Sequence, residues 1–136
     1  MTRRGIVMAA LWVLTLPLWA QSGEAEIKFD KVSHDFGVFY ESNPVVECTF
    51  HFTNVGDGLL VIHQAIASCG CTVPTFPKEP IKPGEGGDIR ITYNGTGKYP
   101  GHFKKTVSIR TNGKVELTRL LVEGDMMPGN RGANQE

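Results

Sequence analysis

The chain has 136 residues, of which 21% are charged, and its 14 lysine and arginine residues balance its 14 aspartate and glutamate residues. This length allows one domain with a single core. The basic residues are scattered along the chain, so the clustered basic surface that nucleic-acid binding requires is not expected.

The amino terminus has the order of a secretory leader. Arg3 and Arg4 precede an uncharged apolar run from Gly5 to Trp19, and Ala20 supplies a small residue at the cleavage point. This order predicts a signal peptide over residues 1–20; a transmembrane anchor is the alternative, but the run is short of the ~20 apolar residues that span a bilayer. Cleavage leaves 12 basic and 14 acidic residues, a formal charge of −2. We expect an exported protein in the periplasm or at the cell surface, with no stable membrane insertion after cleavage.

Short strand patterns follow residues 21–25, which are predicted to be a linker. The clearest strand covers residues 46–53, where Val46, Cys48, Phe50 and Phe52 share one face. Cys48 is therefore predicted to be a small buried core residue. Further strand patterns occur at Ile27–Phe29, His34–Gly37, Leu59–Ile66, Asp88–Tyr93, Phe103–Arg110 and Lys114–Gly124.

Glycine, asparagine and proline mark the connections. Asn54–Gly58 is predicted to be a turn, and Asn112-Gly113 a two-residue type I′ hairpin turn. Residues 73–84 contain four prolines and are predicted to be an extended loop. Residues 125–136 are predicted to be a flexible tail. About seven strands without helical periodicity indicate an all-β antiparallel β-sandwich over residues 26–124.

Two cysteines separated by one glycine form the most distinctive segment, Ser68-Cys69-Gly70-Cys71-Thr72-Val73-Pro74. A local disulfide requires a bend at Gly70, the residue best suited to it, and an exported compartment favours oxidation. Two thiolates on one loop also suit Cu(I), and a strained bridge suits redox exchange. The plainest interpretation is a structural corner in which Thr72 begins a short strand.

The remaining candidates carry weaker signals. His51, His63 or His102 could complete a metal site with the thiols, although their positions in the sequence do not place them there. The His34-Asp35 pair is expected to be a strand end, since neighbouring residues of a strand face opposite ways. In the proline-rich loop, Phe76 and Ile81 are candidates for a partner surface. No catalytic residue and no cofactor are predicted.

Taken together, the motifs resemble one bacterial family. These motifs are Phe29 with His34–Gly37, Phe50–Gly56, Ser68–Pro74, Pro80–Gly84, and Gly101–Lys105 with Asn112. They resemble the exported domain-of-unknown-function family numbered fifteen-seventy-three, over residues 27–124. The resemblance implies an immunoglobulin-like sandwich, similar to the domains named after ASPM, SPD-2 and Hydin, and it implies no established activity.

The expected function is a non-enzymatic protein-interaction or structural module whose partner is an unidentified envelope protein. Free sheet edges and residues 68–84 are the surfaces expected to bind it. The alternative is a small Cu(I)-binding or thiol-redox protein that uses Cys69 and Cys71. The sequence does not determine the oligomeric state.

Overall fold

The computed structural model describes residues 23–129, and these residues form a two-layer β-sandwich. The predicted signal peptide and the end of the predicted tail lie outside the described residues. The strands are β1 (Ile27–Phe29), β2 (Ser33–Tyr40), β3 (Val45–Asn54), β4 (Ile62–Ala67), β5 (Thr72–Thr75), β6 (Gly86–Asn94), β7 (Gly101–Thr111) and β8 (Leu117–Met127). No part of residues 23–129 forms an apolar helix long enough to cross a membrane.

Each layer is a sheet of four strands. Sheet one has the order β1-β3-β6-β5, and sheet two has the order β2-β8-β7-β4. All neighbours are antiparallel except β2 and β8, which run parallel. The predicted immunoglobulin-like sandwich is therefore confirmed, with eight strands and one parallel pair. From β1 to β5 consecutive strands lie in different sheets, whereas β5 and β6 share sheet one and β7 and β8 share sheet two.

The core lies between the sheets because alternate residues of the central strands face inward. On β3 the predicted inward face is confirmed: Cys48, Phe50 and Phe52 are buried and Val46 is half-buried. The other central strands contribute the same kind of aliphatic side chain, namely Ile89 and Ile91 from β6, Val107 and Ile109 from β7, and Leu120 and Val122 from β8.

The ordered domain is longer than predicted at both ends. Ala25, assigned to the linker, is 3% exposed, and its carbonyl accepts a hydrogen bond from Lys114 N at 2.8 Å. The predicted tail is wrong for residues 125–127, because β8 continues to Met127 between β2 and β7. Met126 is 1% exposed because it continues the inward phase of Leu120 and Val122.

Two predicted connections also differ from the structure. Asn112-Gly113 does not form a type I′ turn, because neither residue has positive φ and β7 and β8 are separated by residues 112–116. The proline-rich segment is not entirely loop, because Thr72–Thr75 forms β5 with Pro74 inside it. β5 lies at the edge of sheet one, where proline is tolerated.

Candidate functional site

The Cys-Gly-Cys segment forms the corner at which the chain passes from β4 in sheet two to β5 in sheet one. Ser68 anchors the first half: its N–H donates to Thr106 O at 2.9 Å, and its Oγ accepts from Thr106 N at 3.1 Å. On the other side, Cys71 O accepts a hydrogen bond from Asn94 N at 2.8 Å. The corner therefore links the edges of the two sheets, and residues 68–71 are fixed to both.

Within this corner the sulfur atoms of Cys69 and Cys71 are brought together as a bonded pair. Their Cα atoms are 5.2 Å apart, inside the range that disulfides span. Cys71 N donates to Cys69 Sγ at 3.0 Å, and Thr72 N donates to Cys69 O at 3.1 Å. Both cysteines are half-buried. A short turn, rather than a contact with another element, therefore positions the two sulfurs.

Gly70 does not have the role that the sequence suggested. Its φ is outside the positive range, and a Cβ added there would meet no atom within 4 Å. The bend is therefore compatible with an L residue, and the prediction that glycine is needed for its conformation is wrong. The structure offers no packing reason for glycine at this position.

The two remaining motif residues have structural roles in β5. Thr72 is 3% exposed and lies opposite Tyr93, so it begins the strand as predicted. The bond from Asn94 N to Cys71 O sets the alternation of hydrogen bonds along the pair. By that alternation, the nitrogen of Pro74 lies on the open side of β5, where no bond within the sheet is lost.

The predicted partner surface at Phe76 and Ile81 is wrong in position. Ile81 is 8% exposed and forms an antiparallel bridge with Leu60, with paired hydrogen bonds of 2.8 and 2.9 Å. Phe76 packs against the core, and Lys78 Nζ lies 3.5 Å from its ring centroid. The loop joins β5 and β6 of sheet one, and its apolar side chains pack inward against the core.

The apolar side chains that are exposed at this edge lie on the two strands instead. Ile66 of β4 is 43% exposed and Val73 of β5 is 53% exposed. They lie on the two outer faces, one on each sheet, because each occupies the outward phase of its strand. The alternation of Ala65, Ile66 and Ala67 is the sequence signal that would have identified Ile66.

Cys48 is separate from this corner. It lies on β3 opposite Ile91, is 7% exposed and forms no disulfide. Burial raises the pKa of its thiol to about 11, and the neighbouring Lys31 and Glu47 have smaller, opposing effects. The predicted core role is confirmed, since a buried protonated thiol behaves as a small apolar group.

The histidines do not join the thiols. His51 Nδ1 lies 2.8 Å from Asp88 Oδ1 on sheet one, and this hydrogen bond raises the pKa of His51 above its ordinary value. His102 Nδ1 lies 2.9 Å from Asp125 Oδ1 on sheet two. Within residues 23–129, no three His, Cys, Asp or Glu side chains are arranged to hold a metal ion.

The predicted His34-Asp35 strand end has ordinary structural contacts. Lys31 Nζ lies 3.0 Å from His34 Nδ1, and the ring packs edge-on against Phe36, with centroids 4.9 Å apart. Asp35 Oδ1 instead accepts a hydrogen bond from Gly37 N at 2.8 Å. The two side chains thus have different partners, as expected for neighbours in a strand.

Asn54 is the polar residue whose importance the sequence interpretation missed. Its buried side chain donates from Nδ2 to Gly58 O at 2.8 Å and to Ile81 O at 3.0 Å. Its Oδ1 accepts from Gly56 N at 3.1 Å and from Glu26 N at 3.3 Å. A signal was present, because Asn54 continues the period-two phase of the buried residues of β3.

The comparisons with known proteins agree with this fold. The family model described as "protein of unknown function (DUF1573)" matches residues 27–126. No curated protein matches the chain.

Three solved structures illustrate the similarity. A protein of unknown function from Porphyromonas gingivalis W83 is 21% identical, with a TM-score of 0.61; the match covers 76% of this chain and 46% of that one. PapD-like domain 7 of human CEP192 is 11% identical, with a TM-score of 0.61 and coverages of 93% and 99%. The periplasmic chaperone SfaE is 13% identical, with a TM-score of 0.52 and coverages of 76% and 58%. This chain thus spans less than half of the Porphyromonas protein, and these likenesses show the fold alone.

Proposed function

Because this chain belongs to the family described as "protein of unknown function (DUF1573)", whose model matches residues 27–126, its role has to be argued from its own structure. We propose that it is an exported, non-enzymatic interaction module of the cell envelope that binds protein partners along the β4–β5 edge. The observation that carries the proposal is the exposed edge of both sheets beside the Cys69–Cys71 corner. A strand with unpaired backbone groups on one side can accept a partner strand.

The fold supports the same role in general terms. Its relatives in structure include a periplasmic chaperone and a PapD-like domain. Some charged side chains form pairs on the outer faces, as with Arg90 and Glu47 at 3.2 Å. An interaction role requires an accessible edge and a rigid scaffold, and both are present.

In-cell photocrosslinking tests this proposal. A photoreactive side chain replaces Val73 on the exposed edge or, as the control, Thr49 on the outer face of the central strand β3. We expect discrete crosslinked products with envelope proteins from position 73 and none from position 49. Equal products from both positions, or none from the edge, would contradict binding along this edge.

Export has its own measurement. Amino-terminal sequencing of the protein purified from the envelope fraction is expected to begin at Gln21, because cleavage after Ala20 fits the predicted leader. A full-length chain recovered from the cytosol would contradict the proposed location.

A second candidate function is Cu(I) binding or thiol exchange at Cys69 and Cys71. One observation favours it: the hydrogen bond from Cys71 N to Cys69 Sγ stabilises a thiolate at Cys69 after reduction. Anaerobic Cu(I) titration of the reduced chain, with Cys69→Ser/Cys71→Ser as the control, tests the metal role. Tight stoichiometric binding that the double variant loses supports it, and equally weak binding by both proteins opposes it.

A further inference from the structure

The four edge strands differ in how well they are protected against pairing with another strand. β1 has only three residues and carries Lys28, β5 has four residues and carries Pro74, and β2 contains a register shift and carries Asp35. Short length, charge, proline and irregularity all disfavour edge pairing. β4 has no proline and no acidic or basic residue other than His63; its register with β7 shifts between Ile62 and Gln64 and is regular from Gln64 to Ala67.

The backbone of β4 also presents unused hydrogen-bonding groups. The hydrogen bond from Ser68 N to Thr106 O fixes the phase in which β4 pairs with β7. Since bonded pairs alternate in an antiparallel ladder, Ile66 directs its N–H and C=O toward β7. Ala65 and Ala67 therefore direct theirs toward the open side of the strand.

We propose that β4 pairs antiparallel with β4 of a second copy of this chain, about a two-fold axis at Ile66. The inference rests on the proposed interaction function and names one partner for it. The register that joins the unused groups places Ala65 opposite Ala67 of the partner subunit, and Ile66 opposite Ile66 of the partner subunit. The two copies of sheet two then form one continuous eight-stranded sheet.

The absence of charge around Ile66 favours a second copy as the occupant. Gln64–Ser68 carries no charged side chain, so pairing this segment with itself opposes no like charges. Pairing of β1 with itself about its central residue would bring together the two copies of Lys28. The self-paired register also covers the exposed Ile66 side chain with its own counterpart, in the closer kind of cross-strand pair.

The second layer extends the contact beyond one ladder. β5 lies at the same edge in sheet one, so the same two-fold axis brings the β5 strands of both copies toward each other. Isologous pairing of this kind closes after two copies, because each open edge is used once. The expected assembly is therefore a dimer and not a filament.

Sedimentation equilibrium of the protein purified after expression of the full sequence tests the dimer. Ile66→Lys and Ile66→Glu each place like charges opposite each other in the proposed register. Leu117→Lys is the matched control, because Leu117 is 40% exposed on the same sheet but lies on the inner strand β8. We expect wild type and Leu117→Lys to form concentration-dependent dimers, and each Ile66 variant to dissociate at least about tenfold more readily, which corresponds to about 1.4 kcal/mol.

Mixing the two Ile66 variants gives the decisive result. The proposed register brings opposite charges together, so a one-to-one mixture is expected to recover the dimer. Circular dichroism confirms that each variant is folded. A monomeric wild type, unchanged dimerisation of Ile66→Lys, or no recovery in the mixture would overturn the inference. If edge crosslinks to other envelope proteins persist in that case, self-pairing is wrong while the proposed function stands.

Discussion

Asn54 makes four hydrogen bonds from one fully buried amide side chain. These bonds connect the end of β3 to the amino-terminal segment, to the following turn and to the proline-rich loop through Ile81. An amide can do this because it carries two donors and a carbonyl oxygen with two lone pairs. Its removal takes one partner from the buried carbonyl of Ile81 and one from each of three partly buried backbone groups.

Asn54→Ala is therefore expected to be strongly destabilising. We expect it to lower the free energy of unfolding by about 2–4 kcal/mol, because one buried and three partly buried backbone groups lose a partner together. Asn112→Ala is the comparison, since the exposed Asn112 bonds to Val61 N at 2.8 Å and Leu59 O at 2.9 Å. At this exposed position water replaces the lost hydrogen bonds. Asn112→Ala is therefore expected to lower the free energy of unfolding, measured by urea denaturation, by about 1 kcal/mol or less. Equal losses would show that burial does not set the effect.

His34 predicts a dependence of stability on pH. Burial, and then the charge of Lys31, lowers the pKa of His34 below 6.5, while Asp35 opposes the shift. The unfolded chain then binds a proton on His34 more readily than the folded chain does. The folded state is therefore most stable above the unfolded pKa of about 6.5, and it loses stability as the pH falls from that value toward the lower folded pKa. We expect the urea midpoint of wild type to fall more than that of His34→Gln between about pH 8 and about pH 5. An equal or smaller fall in wild type would contradict this.

At the scale of elements, Gly70 in the Cys69–Cys71 corner and Gly58 in the turn after β3 differ in how well they would tolerate a side chain. Gly70 has ordinary φ and open space around it, whereas a Cβ on Gly58 would overlap the backbone carbonyl of Gly23. The first is tolerant because nothing is packed against it. The second is restricted because two backbone segments pass in contact.

Alanine substitutions at these glycines test the difference. Gly70→Ala is expected to change the free energy of unfolding by no more than about 1 kcal/mol, and it can be stabilising because alanine restricts the unfolded chain. Gly58→Ala is expected to destabilise by about 1–3 kcal/mol, as overpacking does. Thermal unfolding of both variants provides the measurement. A larger loss for Gly70→Ala would restore a conformational role for that glycine.

The sequence could predict strands more easily than their ends. β3 was predicted because alternation of apolar and polar residues continues for eight residues. Only the start of β5 at Thr72 was predicted, because the four prolines of residues 73–84 suggest a loop, and the position of β5 at the edge makes Pro74 acceptable. The end of β8 was missed because Pro128, Gly129 and Gly132 suggest a tail that begins at Asp125, whereas pairing with both β2 and β7 extends the strand to Met127.

For the whole molecule, a cluster of aromatic rings joins the two sheets near the Cys69–Cys71 corner. Tyr93 of sheet one stacks on Phe103 of sheet two, with ring centroids 3.8 Å apart and planes 6° from parallel. Phe39 contacts both rings edge-on, at 6.2 and 5.8 Å. Burial raises the pKa of Tyr93, in agreement with an apolar setting.

A double-mutant cycle measures the contribution of this stack. Tyr93→Leu and Phe103→Leu are expected to show a coupling energy of about 0.5–1.5 kcal/mol, as stacked rings do beyond their burial. The control cycle combines Tyr93→Leu with Phe29→Leu, because Phe29 packs on Phe52 instead. That pair is expected to be additive within about 0.5 kcal/mol. Additivity in both cycles would mean that the stack contributes only its buried area.

The sequence by itself determined which side chains face the core, because period-two alternation is a local property of an extended chain. It left open whether Cys69 and Cys71 form a bond, since a pair two residues apart meets only if the chain bends between them. Only the tertiary structure decided which strands lie at the edges. It also decided that the buried Asn54 side chain makes four hydrogen bonds and that Phe76 and Ile81 turn inward. Strand order depends on pairing between segments that are distant in the sequence, such as β3 with β6 and β2 with β8. The local pattern of a strand does not specify which strand will pair with it. Whether the strand lies at an exposed edge depends on that pairing.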